Sequence, residues 1–205
     1  ISQIGYILLG VALFTELGLM AGIFYLIHHM IVKASLFLST GAIEHTYGTG
    51  ALDRLGGIAK REPLLALVFI GAALSLAGLP PFSGFVAKLT LVVAAVDDGQ
   101  WTAMAVMIAV SLNTLMSMLK IWGGVFWGPA PDEDGSPVVA GSDGAVTTAT
   151  RATPRIRTAL IVPGLILTAT TLGIGLGAQV LLDLSAQAAN GLLDTSGYVE
   201  AVLGR

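Results

Sequence analysis

The chain has 205 residues, 55% hydrophobic and 11% charged, with a net charge of −3 and a mean hydropathy of +0.84. An ordinary soluble domain carries about 25% charged residues. The composition therefore excludes a soluble globular fold and indicates an integral membrane protein, and the small net charge leaves no nucleic-acid footprint. With no cysteine, disulfides, thiolate-held iron–sulfur clusters and a thiol nucleophile are also excluded.

The opening Ile1-Ser2-Gln3 has no charged n-region and no cleavage site. It is expected to start inside a larger protein rather than as a signal peptide. The first apolar run, about 1–14, is too short to span fully and reads as the far end of a helix. The second, about 18–43, exceeds the roughly 20 residues that a crossing helix needs. It carries Lys33 near its middle, with His29 one helical turn earlier on the same face and His28 beside it. A lysine at that depth costs about 2.5–3.5 kcal/mol on insertion scales, so it is expected to face protein or water, as part of a proton path. Glu16, His45 and Tyr25 read as solvated or packing groups.

A polar loop follows at 44–62, with Arg54, Lys60 and Arg61, and then a third segment at 63–78 begins on Pro63. The stretch Gly78-Leu-Pro80-Pro81-Phe-Ser-Gly84 cannot continue a regular helix. The next run, 82–96, is short and holds Lys88 in its first turns. Short, Gly/Pro-interrupted segments mark discontinuous membrane helices whose broken ends line ion sites. Unpaired backbone at that depth is tolerated only in protein or against water.

The fifth segment, 101–127, ends in Lys120, Trp122 and Trp127, residues suited to an interface. Lys120 is a further candidate, with snorkelling to the interface as its alternative. Residues 129–155 are rich in Pro, Gly, Ser, Thr and Asp and are expected to form a flexible polar loop. Residues 156–182 form the last membrane helix, whose Gly173, Gly175 and Gly177 permit close packing. A short amphipathic or irregular tail runs to 205. With these segments counted as separate crossings, the cationic loops fall on opposite faces and the positive-inside rule ties.

Several ordered motifs carry a resemblance: Ser2-Gln-Ile-Gly-Tyr6, His28-His-Met-Ile-Val-Lys33-Ala-Ser-Leu-Phe-Leu, Asp53-Arg-Leu-Gly-Gly57, and Gly78-Leu-Pro-Pro-Phe-Ser-Gly-Phe-Val-Ala-Lys88. Over residues 1–128 the chain resembles the antiporter-like proton-translocating family, which includes membrane subunits of respiratory complex I and of multisubunit (Mrp-type) sodium/proton antiporters. The tail Tyr198-Val-Glu-Ala-Val-Leu-Gly204 resembles the antiporter branch. The resemblance implies an all-α polytopic bundle with a broken helix, namely the second five-helix repeat plus a terminal helix (family helices nine to fourteen). It further implies a multi-pass protein of the bacterial plasma membrane, working with other antiporter subunits in a hetero-oligomeric complex. In this reading Lys33 matches the family's central lysine, His29 its polar partner, and Lys88 the ionisable residue at the break. The family also implies that the longer loop is cytoplasmic.

The chemistry agrees. Lysine has a reference pKa of about 10.4, and desolvation lowers it by several units, so buried lysines exchange protons near neutral pH. Neutral imidazole both donates and accepts a hydrogen bond and can pass protons on. The expected activity is cation (Na+)/proton antiport by a secondary transporter subunit rather than an enzyme. No cofactor or metal is expected. The alternatives are a proton-pumping subunit of a redox-driven complex and a non-conducting scaffold.

Overall fold

The computed structural model describes residues 2–129, 155–194 and 196–204. Within these, the helices are α1 (Ser2–Ala12), α2 (Glu16–Tyr47), α3 (Ile58–Arg61), α4 (Pro63–Ala77), α5 (Ser83–Asp97), α6 (Trp101–Ile121), α7 (Thr158–Leu176), α8 (Ala178–Leu193) and α9 (Ser196–Leu203). A π-helical turn, Trp122–Trp127, extends α6. The all-α fold expected from the sequence is the one observed, and three helices are long and apolar enough to cross a membrane: α2, α6 with its extension, and α7. The polar stretch expected to be flexible lies, apart from its first and last residues, outside the described residues.

Everything packs around α2. Its 32 residues rise about 48 Å at 1.5 Å each, more than the expected 18–43. Thr15 starts it by accepting the Gly18 N–H on its hydroxyl at 3.0 Å, which satisfies one of the orphan donors of a first turn. Gly48, left-handed at φ 71°, ends it.

Two apolar clusters divide the bundle along this axis. At the Tyr47 end, Ala42 and Ile43 pack with Leu65 and Phe69 of α4, Phe126 of the π turn, and Ile156 and Ile161 at the start of α7. At the Glu16 end, Ala21, Phe24 and Tyr25 pack with Tyr6 of α1, Ala87, Leu91 and Ala95 of α5, and Met107 of α6. Thus α4 covers one half of α2 and α5 the other, both running the same way. Near the far end Asp97 shares a recess with Thr15 and Glu16.

The segments expected at 63–78 and 82–96 therefore make one discontinuous traverse, antiparallel to α2. Neither 15-residue helix reaches across alone, since each is about 22 Å long. The chain end differs in the same sense: α8 follows α7 with only a bend at Gly177, whose N–H still bonds the Gly173 carbonyl at 2.9 Å. Helix thus continues through the region expected as tail, and α8 packs on α2 as α7 does. The close packing expected of the α7 glycines is realised at Gly175, which lies on the Pro81 carbonyl and the Phe82 backbone, leaving no room for a side chain.

This path also relocates charge. Buried Glu62 accepts the Ile156 N–H on Oε1 at 2.8 Å, and Pro129 lies against Gly56. Arg54, Lys60, Arg61, Arg155 and Arg157 consequently share the Tyr47 end, while Glu16, Asp97 and Asp98 stand at the other. Among the described residues no lysine or arginine stands at the Glu16 end. The expected tie counted one crossing too many.

Candidate functional site

The break between α4 and α5 builds the site. Gly78 ends α4 at φ 87°, its N–H bonding the Leu74 and Ser75 carbonyls; a residue with a Cβ resists that left-handed geometry. A Cβ there would also strike the Lys88 Cδ at 2.6 Å. The Pro80–Pro81 peptide is cis, and α5 begins at Ser83. Gly84 lets the two helix ends overlap, because a side chain on it would collide with the Ser75 carbonyl and come within 3.0 Å of the His28 ring.

Lys88 lies one turn after Gly84 and so faces the same gap. It is 7% exposed, and its Nζ donates to the Ala77 carbonyl at 2.9 Å. That oxygen is free because the last carbonyls of a helix have no partner within it, and the partial negative charge at a helix C-terminus favours a cation. The Nζ also lies 5.3 Å from the Tyr6 ring centroid, within cation–π reach. Interrupting the helix thus supplies a buried lysine with a carbonyl, a dipole end and an aromatic face.

His28 closes the other side. It is fully buried, its Nδ1 is 2.8 Å from the Ser83 Oγ, and its Nε2 has no partner. A second buried polar atom without a partner, the Ser75 Oγ, belongs to the same overlap. Behind them runs a polar cluster. Tyr25 stacks on Tyr6 at 5.2 Å and meets His28 edge-on at 5.7 Å, and its hydroxyl donates to Gln3 Oε1. The Tyr6 hydroxyl donates to the Met107 carbonyl at 2.6 Å and pairs with Ser111 at 2.8 Å. An open recess of about 290 Å³ joins Lys88, Tyr6 and Ser111, with Phe85, Leu89 and Leu112 making its wall largely apolar.

The remaining candidates lie elsewhere. His29 and Lys33 share a face of α2 about 100° from the one bearing His28 and Val32. Both are half-buried, and the Lys33 Nζ lies 5.2 Å from the Phe37 ring, itself 68% exposed. Lys120 is exposed on α6, about two and a half turns beyond Ser111. The structure therefore brings together His28, Lys88 and the break glycines Gly78 and Gly84, with Pro80 and Pro81 in the link. His29 and Lys33 are kept as a separate pair, and Lys120 stands apart from both. Gln3, Tyr6, Ser83 and Ser111 were not singled out from sequence, and Tyr25 is tied into the polar cluster rather than serving only as packing. Lone hydroxyls and amides in apolar runs carry little pattern; the signal available for Gln3 and Tyr6 was their place in the Ser2-Gln-Ile-Gly-Tyr6 motif.

Known proteins match this architecture. Residues 1–116 match the family described as NADH:quinone oxidoreductase/Mrp antiporter, TM. The chain is 38% identical over 204 residues to the D-type subunit of the Na(+)/H(+) antiporter of Alkalihalophilus pseudofirmus, covering 99% of this chain and 38% of that protein. It superposes on a chain of the Mrp complex from Dietzia sp. with a TM-score of 0.84 at 50% identity, covering 98% of this chain and 43% of that one. A chain of respiratory complex I from Thermus thermophilus shares the fold alone, at a TM-score of 0.54 and 22% identity over 85% of this chain and 36% of that one.

Proposed function

The chain belongs to the NADH:quinone oxidoreductase/Mrp antiporter membrane family, and on that premise we propose that it is part of the D-type subunit of a multisubunit Na+/H+ antiporter, in which it passes protons through the α4–α5 break. The family takes in both kinds of protein, and the likeness to the antiporter protein along almost all of the chain supports this over the redox-complex reading. The partners would be the other subunits of that complex, in the plasma membrane.

The observation that carries the reading is the buried Lys88, held by a helix-end carbonyl and facing buried His28. A lysine solvated only by dipoles can lose its proton without leaving a carboxylate unpaired. If the His28 Nδ1–H donates to Ser83, the free Nε2 is an acceptor; if the Ser83 hydroxyl donates, Nε2 carries the proton. Exchange between these tautomers moves a proton across the imidazole while Ser83 keeps the ring in place. Lys33 and His29 would form a second station, facing protein or water in the complex, since a lipid-facing lysine is costly. The cationic Tyr47 end is assigned to the cytoplasm by the positive-inside rule.

The test is Lys88→Ala against Lys88→Glu in the assembled complex, reading sodium-driven collapse of a pH gradient in membrane vesicles. Loss of a proton carrier is expected to cost about a hundredfold or more. Lys88→Glu, which keeps a titratable group, should retain more activity. Parental activity in Lys88→Ala, at equal complex levels, would remove Lys88 from the path and leave Lys33 and His29 as the remaining station.

A further inference from the structure

A second feature lies at the Tyr47 end of the bundle, away from the break. There a recess of about 390 Å³ is walled by Gly57, Lys60 and Arg61 on one side and by Phe126, Trp127 and Pro129 on the other. Among the described residues lining it there is no carboxylate. The adjacent acid, Glu62, is buried and turned to the Ile156 N–H rather than lining the recess.

The aromatic wall sits where a membrane ends. Trp122 stacks on Phe126 at 4.7 Å and meets Trp127 at 5.9 Å, and Trp127 is 74% exposed. Tryptophans at such positions sit at headgroup level. Below them Leu112, Met116 and Leu119 are 58%, 64% and 45% exposed. Their spacing makes one apolar stripe that climbs α6 toward the turn bearing Trp127. Cations above, an aromatic rim between and an apolar track below match an anionic phospholipid from head to chain. Free phosphate would use only the cations. Arg54, Arg155 and Arg157 at the same end add to the field that attracts an anionic headgroup.

We propose that the Lys60–Arg61–Trp127 recess binds the phosphate headgroup of an anionic phospholipid, its acyl chains lying along the Leu112–Leu119 stripe of α6. The headgroup recess lies apart from Lys88 and His28, although Leu112 at the far end of the stripe also lines the recess beside Lys88, and the proposal rests only on the chain being in a membrane.

The test uses the full chain in neutral detergent and quenching of tryptophan by brominated-chain lipids. Brominated phosphatidylglycerol is compared with brominated phosphatidylcholine, and inorganic phosphate serves as competitor. Phosphatidylglycerol should bind at least about tenfold more tightly, in line with two cations near the headgroup. Exposed Lys60 can be changed without disturbing packing, so Lys60→Gln keeps the proposal testable if the double variant misfolds. Lys60→Gln should weaken phosphatidylglycerol about fivefold and Lys60→Gln/Arg61→Gln about thirtyfold, with phosphatidylcholine unchanged. Arg155→Gln/Arg157→Gln, at the same end but outside the recess, should change binding by less than about threefold. Equal binding of the two lipids, or an equal loss in the Arg155/Arg157 pair, would overturn the site in favour of diffuse charge. Displacement by inorganic phosphate at concentrations comparable to the lipid would overturn it in favour of a bare phosphate site.

Discussion

Lys33 and Lys88 look alike in the sequence, each a lone cation in an apolar run near a polar partner. The fold treats them differently. Around Lys88 the chain places a broken helix: the Ala77 carbonyl, the end of the α4 dipole and the Tyr6 ring all meet one Nζ. Around Lys33 the α2 helix is unbroken, and among the described residues the cation has the exposed Phe37 ring and, one turn back, His29 beside it. An intact helix already engages each carbonyl in an i to i−4 bond and leaves only its second lone pair, as when Met107 accepts from Tyr6, whereas a helix end leaves carbonyls without any partner. A helix end suits a buried lysine without a carboxylate better, and Lys88 has one within this chain. Lys33 must find its solvation in what covers its face of α2.

The comparison is tested most severely in transport. Lys33→Ala and Lys33→Arg in the assembled complex should each lower sodium-driven proton exchange about a hundredfold or more, since arginine stays protonated and cannot relay. Full activity of Lys33→Arg in the vesicle assay would make Lys33 a fixed charge and leave Lys88 the only proton carrier of the pair. Exposure gives the next effect. The chain lacks cysteine, so Lys33→Cys and Lys88→Cys introduce unique thiols, and maleimide labelling of the chain should be about tenfold faster at position 33 because reactivity follows access. Equal rates would erase the distinction.

Within the break, Ser83→Ala frees His28 from the partner that orients its ring. Proton exchange should slow by roughly three- to tenfold, comparable to losing one neutral hydrogen bond of about 1 kcal/mol, and Ser83→Thr should restore it. A full-rate Ser83→Ala would show that His28 packs against the break without acting in it. Gly78→Ala should lower stability by about 1–2 kcal/mol through the left-handed φ, with a further loss from contact with Lys88. Gly41→Ala on α2, where a Cβ meets open space, is the control, and thermal melts of the two should diverge by a few degrees. The smallest effect belongs to Lys120→Gln, expected to be neutral in transport because Lys120 is exposed on α6 and apart from both lysine sites.

Much of this was legible in the residues. Composition and apolar runs marked membrane helices, Gly78 to Gly84 marked a break, and Lys33, His29 and Lys88 stood out as cations or imidazole in hydrocarbon. The relation of His28 to its surroundings was not legible. Adjacent histidines on a helix point about 100° apart, and which of the two meets the break depends on where α5 docks. Ser83 becomes the partner of His28 only through a contact 55 positions away in sequence.

What the sequence determined by itself was therefore what each segment is: apolar runs must be helical in lipid because every backbone group needs an internal partner, and paired prolines must interrupt them. The tertiary structure alone decided how those segments add up. Two helices too short to cross singly were joined into one traverse because α2 offers each an apolar half, Ala42 and Ile43 to Leu65 and Phe69 of α4, and Ala21 and Phe24 to Leu91 and Ala95 of α5. That junction brought Lys88 and His28 to the same break and gathered the described arginines at one end. Sequence spacing records length along the chain, but the direction in which a helix runs is set by the surface it buries.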